Sequence, residues 1–285
     1  GYVEACSDEV ITDVTIKCIS SEGEVEASYG SLALSRGEKL TFELPNVLRI
    51  DYGQTLHYQV IAVINNVVTT DPISCTATAL MHKLHKNIVV EEATGMWCAY
   101  CPSGIVAVDE LAHSNADNRP ALEKKYPDTF IGLALHYNDQ LGVDDYVMDL
   151  SFPDGFPTGW INRKHYTIPM VETEQDGEVV YTTLNGGFET YFIQEMQVPA
   201  IADVRLSSSE LVGGAIDVSA EISFAANINQ ANMRVAYVIV ENNVSDPNYF
   251  QVNGYSGKDV EIGGFEDLSK EIHDIKFQHV VRGIY

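Results

Sequence analysis

The chain has 285 residues, 45% of them hydrophobic, and its 41 acidic and 17 basic side chains give a formal net charge of −24. A negative field of this size repels phosphate backbones and anionic lipid headgroups, so we expect no nucleic-acid partner and no membrane contact through the folded body. No run of 18 or more apolar residues is present, and no membrane-spanning helix is expected. The length suits two or three compact units.

Residues 1–85 show the alternating pattern of β-strands. Apolar and polar side chains alternate along residues 10–18, and residues 56–64 are rich in β-branched and aromatic side chains. An Asn65-Asn66 turn then precedes a returning strand at residues 67–70. No stretch has the 3.6-residue apolar repeat of a helix, so we predict a small N-terminal β-sandwich.

The pattern changes to mixed strands and helices over residues 86–198. A continuous apolar run at residues 88–90 is typical of a buried parallel strand. The next apolar side chains are spaced at three and four residues, as on one face of a helix: Ile105, Val108, Leu111 and Ala112. We therefore predict an α/β domain of order β-α-β-α-β-β-α, whose later elements are a strand at 130–135, a helix at 144–150, a strand around 160–162, a hairpin turning at Asp176-Gly177 and a helix containing residues 188–196.

Residues 199–285 are again strand-like. Four strand candidates are visible, at residues 202–206, 215–224, 233–241 and 277–284. A closed Ig-like sandwich has about seven strands. We therefore expect a C-terminal β-rich, Ig-like domain that is either incomplete or contains further short strands.

The sequence Cys98-Ala99-Tyr100-Cys101 carries the chemistry of the chain, because it follows a buried strand and opens a predicted helix. The free N–H groups and positive dipole end of a helix stabilise a thiolate at its first turn. Cys98 is the expected exposed nucleophile, and Cys101, one turn further in, is the expected resolving thiol. This asymmetry is what thiol–disulfide exchange requires.

Two other uses of the Cys98/Cys101 pair remain open. Zinc would need two further ligands, and the candidate histidines show no tetrahedral arrangement: His82, His85, His113 and His136. We expect neither a metal nor a cofactor. The second alternative is a purely structural disulfide.

The motif resembles the thioredoxin superfamily, through Trp97-Cys98-x-x-Cys101 after a strand and Phe156-Pro157-Thr158 at the start of a later strand. The resemblance implies a cis Pro157 that faces the dithiol and orients a peptide partner. It also implies that Glu92 is a buried acid that exchanges protons with the resolving thiol. The alternatives are an ordinary loop proline and a solvated charge at the strand end.

The aromatic side chains near the motif are candidate substrate contacts. Trp97, Tyr100 and Phe156 would line the path of a substrate chain, or they would only cover apolar surface. Ala99 and Tyr100 match neither the Gly-Pro pair of common reductants nor the His-containing pair of strong oxidants in the superfamily. The direction of electron transfer therefore stays open.

Residues 91–104 and 157–163 are also similar to the Bacteroidetes 28-kDa outer-membrane-protein family, with a weaker match at residues 279–282. Those proteins are cell-envelope lipoproteins with a thioredoxin-like domain between β-rich flanks. The resemblance implies a location in the cell envelope and a lipid anchor upstream of residue 1. Its implied partners are protein thiols or disulfides and other envelope proteins.

Two functional hypotheses follow from these motifs. The first is a cell-envelope thiol–disulfide oxidoreductase acting through Cys98 and Cys101 on protein substrates. The alternative is a non-catalytic surface binding or scaffold lipoprotein in which the thioredoxin fold is structural. The two differ in whether the dithiol turns over.

The remaining cysteines offer one further bridge. Cys18 and Cys75 lie in two different strand candidates of the first zone, so a structural disulfide between sheets is one expectation. Two buried free thiols are the alternative. Cys6 then remains unpaired near the start of the chain.

Overall fold

A computed structural model describes residues 1–44, 50–68, 70–112, 129–143, 146, 154–169, 171–175, 178–182, 187–210, 212–228 and 233–285. The predicted helix at 144–150 falls outside these residues apart from Tyr146, as do His113 and the predicted turn at Asp176-Gly177.

Short strands dominate the described residues, which contain two α-helices, α1 (Pro102–Ala112) and α2 (Phe188–Met196). The strands, in chain order, are β1 (Tyr2–Glu4), β2 (Val14–Ser20), β3 (Gly23–Tyr29), β4 (Lys39–Thr41), β5 (Thr55–Ile64), β6 (Val67–Val68), β7 (Ile73–Thr78), β8 (Ile88–Thr94), β9 (Phe130–His136), β10 (Thr158–Ile161), β11 (His165–Thr167), β12 (Val171–Gln175), β13 (Glu178–Thr182), β14 (Ala202–Ser208), β15 (Val218–Phe224), β16 (Val238–Glu241), β17 (Gln251–Val252), β18 (Glu271–Ile272) and β19 (Val280–Ile284).

The chain divides into two compact units, one of residues 1–84 with 200–231 and one of residues 85–199 with 232–285. In the first unit β5 is the central strand of an antiparallel sheet, flanked by β2 and by β6 and β7. The alternating pattern of β2 buries Val14 and Ile16, which pack with side chains around β1 and β4. Alternation therefore predicted the β character of this region correctly.

The second unit is built on a six-stranded sheet of order β11-β10-β8-β9-β19-β16. β8, β9 and β19 run parallel, whereas β10 pairs antiparallel with β8, β11 with β10, and β16 with β19. Both helices pack on one face of this sheet, where Val90 of β8 lies in a buried cluster with Leu111 of α1 and Phe192 of α2. The other face is covered by a second cluster that includes Leu135 and Val281. β8 is thus buried on both faces, as its continuous apolar run predicted.

The structure divides the predicted C-terminal domain at residues 199–285 between the two units. The hairpin of β14 and β15 belongs to the first unit, whereas β16 and β19 extend the central sheet of the second. Val280 and Val281 of β19 are fully buried beside β9. The expectation of a separate Ig-like domain is therefore corrected, because strand patterning does not reveal which sheet a strand joins.

The turn after β10 is held by hydrogen bonds to a carboxylate of β8 and to a carboxylate of α2. Asn162 and Arg163 both adopt positive φ there. The Arg163 guanidinium donates to both carboxylate oxygens of buried Glu91, at 2.8–3.1 Å, and the Asn162 amide donates to Glu195 at 2.8 Å. Residues that carried part of the family resemblance thus have a structural role, since a buried carboxylate is stable only when it is paired.

The predicted bridge between Cys18 and Cys75 is absent, and both are free thiols. Cys18 lies in β2 opposite Val60, and Cys75 lies in β7 opposite Tyr58, so β5 separates the two strands within one sheet. Two strand spacings amount to roughly 9–10 Å. A disulfide requires Cα atoms within about 7 Å, so this correction follows from the sheet order.

Candidate functional site

The site centres on a disulfide between Cys98 and Cys101, whose Cα atoms lie 5.4 Å apart. It occupies the turn between the end of β8 and the start of α1. The turn is closed by backbone hydrogen bonds from Cys98 to Gly95, 3.0 Å, and from Cys101 to Cys98, 3.3 Å. Pro102 takes the first helical position, where its fixed φ favours a helix start and its missing N–H costs no hydrogen bond.

Cys98 is less accessible than the sequence predicted. It is 4% exposed and Cys101 is 0% exposed, so the expectation of an openly exposed nucleophile is wrong for this disulfide form. Of the two residues, only Cys98 retains any surface. The reason is local packing, because segments distant in sequence, including β17, lie against the turn.

An aromatic cluster lies on one side of the turn. The Trp97 indole N–H donates to the Tyr137 carbonyl at 2.7 Å, and its ring meets Phe156 edge to face at 5.3 Å. The Tyr137 ring stacks on Phe156 at 5.8 Å. The indole is therefore fixed in position while 46% of Trp97 remains exposed, which makes it available to a partner.

Pro157 follows Phe156 through a cis peptide bond. Its Cβ lies 3.0 Å from where a side chain at Gly104 would begin, so the proline lies beside the first turn of α1. Only glycine fits at position 104, because a Cβ there would also clash with the carboxylate of Glu92. The helix start, the proline and the acid thus meet at Gly104, three residues after Cys101.

Glu92 is buried, 2% exposed, and does not lie at a solvated strand end. Its Oε1 has no hydrogen-bond partner among the described residues. Burial raises the pKa of Glu92 to about 8, and the nearby Asp109 carboxylate adds to this, while the hydroxyl of Thr94 acts in the opposite direction. Glu92 is therefore mostly protonated at neutral pH and can donate a proton.

Asp139 braces the segment that leads into Cys98. Its Oδ2 accepts from the Met96 N–H at 2.8 Å and is 2.9 Å from Nδ1 of His136, and its Oδ1 accepts from the Leu141 N–H at 2.9 Å. Burial alone would raise the pKa of Asp139, but these hydrogen bonds outweigh it and hold the pKa below its usual value. The carboxylate thus links the loop after β9 to the turn of the disulfide.

We expect Asp139→Asn to lower the free energy of unfolding by about 2 kcal/mol at pH 7, since at least one buried N–H loses its acceptor. The contribution of the carboxylate is present above the unfolded pKa and is lost as the pH falls through the depressed folded value. Urea unfolding at pH 7 and pH 3 measures this, and the deficit should shrink at pH 3. Exposed Asp259 provides the matched Asp259→Asn control. An equal deficit at both pH values would contradict the prediction.

The sequence did not indicate that Gln251 contributes to this site. Gln251 is fully buried in β17, and its side-chain amide donates to the carbonyl of Cys98 at 2.9 Å and lies 3.4 Å from that of Gly95. The next backbone N–H, of Val252, donates to Met96 at 2.8 Å, and that of Gly254 donates to Ala99 at 2.6 Å. This segment therefore holds the disulfide turn along most of its length.

A second aromatic contact continues from the same segment. Tyr255 meets Tyr100 edge to face at 5.7 Å, and the Lys258 ammonium lies 5.1 Å from the centre of the Tyr100 ring. Tyr100, which lies between the two cysteines, is 53% exposed, so its ring is available to a partner. Trp97, Phe156 and Tyr100, the predicted substrate contacts, all lie around the turn, although their contact with a substrate stays a prediction.

Comparisons with known proteins add little to this geometry. No protein-family model matches the chain, and no curated protein matches it. Among solved structures it is similar to HBP35 of Porphyromonas gingivalis, at 22% identity over 70% of this chain and 56% of that chain, with a TM-score of 0.45. The match thus spans little more than half of the neighbour's length.

In the described part of the chain, no helix is long and apolar enough to cross a membrane.

Proposed function

We propose that this protein exchanges disulfides with protein thiols in the cell envelope, through Cys98 and Cys101 of a thioredoxin-like unit. The observation that carries the proposal is the disulfide itself, in the turn between β8 and α1, with buried Glu92 and cis Pro157 grouped around Gly104. The reaction needs no cofactor, because the two sulfur atoms carry both electrons.

In the first step a thiolate of the substrate attacks Sγ of Cys98, which alone of the pair has surface. A bond forms between the substrate sulfur and Cys98 while the Cys98–Cys101 bond breaks. Cys101 leaves as a thiolate and takes the proton that Glu92 holds at neutral pH. A mixed disulfide and a protonated Cys101 result.

In the second step another thiolate of the substrate attacks its own sulfur in the mixed disulfide. Cys98 then leaves as a thiolate, which the N-terminal end of α1 stabilises. The substrate has lost two electrons and now holds a disulfide, and the protein has gained them as a dithiol. The same steps run backwards when the substrate arrives as a disulfide.

Substrate trapping tests the proposal. We expect Cys101→Ala, reduced and added to cell-envelope proteins, to form stable mixed disulfides because no resolving thiol remains, whereas Cys98→Ala forms none. Both variants carry Cys6→Ser, since Cys6 is an exposed free thiol and would otherwise capture partners. The readout is dithiothreitol-sensitive adducts on non-reducing gels, together with insulin reduction by the Cys6→Ser protein. Equal adducts from both variants, or no insulin reduction, would overturn the proposal.

The burial of Cys98 favours a second candidate, a non-catalytic envelope binding protein whose disulfide is structural. A 4% exposed residue gives little room for an attacking thiolate. The two candidates differ in lability, because structural disulfides resist reduction whereas catalytic ones have higher reduction potentials. Equilibration of the disulfide with glutathione separates them: reduction by the glutathione pair supports exchange, and resistance supports the structural role.

A further inference from the structure

A cavity of about 140 Å³ lies in the second unit, between α1, the central sheet and the segment before β19. Its walls are largely apolar and include Ile105 and Val108 of α1, Ala134 of β9, and Phe265 and Phe277. Exposed Leu268 and Lys276 also line it, so its rim reaches the surface. The cavity therefore suits an apolar molecule and can be reached from the solvent.

Three polar atoms in these walls have no hydrogen-bond partner within 3.5 Å among the described residues, although the Thr94 hydroxyl is near enough to Glu92 to lower its pKa: Oε1 of Glu92, Oγ1 of Thr94 and Nε2 of His279. Glu92 and Thr94 are each 2% exposed. A buried polar atom left without a partner destabilises the folded protein, because it has lost its hydrogen bonds to water. Three such atoms around one cavity indicate that an occupant supplies hydrogen bonds at this wall.

The size and lining define the chemistry of the occupant. An apolar cavity of about 150 Å³ engineered in another protein accommodates benzene, so this volume fits a single six-membered ring. A charged molecule would lose its hydration among the apolar side chains, and this desolvation is costly. An anion would also meet the Asp109 carboxylate at the cavity wall. An uncharged ring bearing one hydroxyl or carbonyl group satisfies both the apolar walls and the unpaired polar atoms.

We propose that this cavity is a binding site for a small, uncharged, ring-sized molecule with one hydroxyl or carbonyl group, which hydrogen-bonds to Glu92 and Thr94. The proposal does not depend on disulfide exchange, because the cavity is present in the oxidised protein. The ring lies among the apolar side chains of α1 and of the segment ending at Phe277, and the polar group points to β8.

Phenol is the probe for this site, with benzoate as its charged counterpart and benzene as its apolar one. We expect saturable binding of phenol to the full oxidised chain at pH 6.5, followed by ligand-observed and protein NMR. Phenol should bind at least tenfold more tightly than benzoate, because benzoate must be desolvated. Thr94→Val should weaken phenol about tenfold and leave benzene unchanged, since it removes only the hydroxyl.

Two further variants keep the test decisive. Ala134→Leu fills the cavity and should abolish phenol binding, with circular dichroism and thermal melting confirming that the variant folds. Thr78→Val, in β7 of the first unit, is the matched control and should bind phenol as the wild type does. A Cys98→Ser, Cys101→Ser double variant should still bind, which separates this site from the exchange reaction.

The proposal is overturned if phenol shows no saturable binding to wild type, or if Ala134→Leu folds and binds phenol unchanged. Benzoate binding as tightly as phenol would also overturn it. None of these outcomes bears on substrate trapping by Cys98, so each proposal can fail alone.

Discussion

Between pH 4.5 and 8, we expect the free energy of unfolding to change by roughly 5 kcal/mol less in Glu92→Gln than in the wild type. The pKa of Glu92 rises from its ordinary 4.5 to about 8 on folding, chiefly because the carboxyl is buried, with Asp109 adding to the shift. Each unit of pH between those two values is worth about 1.4 kcal/mol. Glutamine has nearly the same shape and cannot ionise, so the difference between the two proteins isolates this one group.

The direction follows from proton binding. Between pH 4.5 and 8 the folded protein keeps the proton of Glu92 and the unfolded chain releases it, so wild-type stability falls as the pH rises. The full benefit of the neutral acid is therefore present below pH 4.5, and it is lost by the time the pH passes 8. Relative to wild type, Glu92→Gln should become progressively more stable across this window and change no further above it.

Urea unfolding at half-unit steps from pH 4 to pH 9 measures this difference. Glu22→Gln is the matched control, because Glu22 is exposed in the turn between β2 and β3, and its difference from wild type should stay flat. Parallel curves for wild type and Glu92→Gln would contradict a buried neutral acid at position 92. They would also remove the proton donor from the proposed exchange step.

Local patterns predicted the elements that form the disulfide turn. The apolar run at residues 88–90 predicted β8, because a strand buried on both faces leaves a continuous apolar run. The spacing of three and four residues after Pro102 predicted α1, because a helix buried on one face leaves a periodic pattern. The position of the Cys98–Cys101 pair at the junction of β8 and α1 followed from these two elements. Pairing of β12 with β13 likewise brackets the predicted turn, with Gln175 opposite Glu178.

Long-range packing was not visible in the sequence. β19 joins the central sheet beside β9, although nearly 150 residues separate them, and no local pattern encodes that choice. The burial of Cys98 has the same origin, since it depends on where β17 docks. The free thiols of Cys18 and Cys75 also follow from strand order, which places β5 between them. These features depend on the partner that each strand finds during folding.

The contact between Gln251 and the disulfide turn has consequences for the stability of the turn and the reactivity of its disulfide. Gln251→Met keeps the length of the side chain and removes the amide that reaches the carbonyls of Cys98 and Val252. We expect the free energy of unfolding to fall by about 2 kcal/mol, because buried carbonyls lose donors. We also expect the Cys98–Cys101 disulfide to be reduced about tenfold faster by dithiothreitol.

The rate increase is expected because Cys98 is almost fully covered in the folded protein. A small thiol must wait for the turn to open, and weakening its hydrogen bonds raises the population of open molecules. Dithiothreitol is added in native buffer and the free thiols are counted over time, which gives the rate of reduction. Urea unfolding gives the stability.

Gln278→Met is the matched control, since the Gln278 amide bonds to Asn243 at 3.0 Å and does not contact the turn. It should leave the reduction rate unchanged. A stable Gln251→Met protein with the wild-type rate would mean that β17 does not limit access to Cys98. A faster rate would show that a strand about 150 residues away controls how readily this disulfide reacts, whether the disulfide serves exchange or structure.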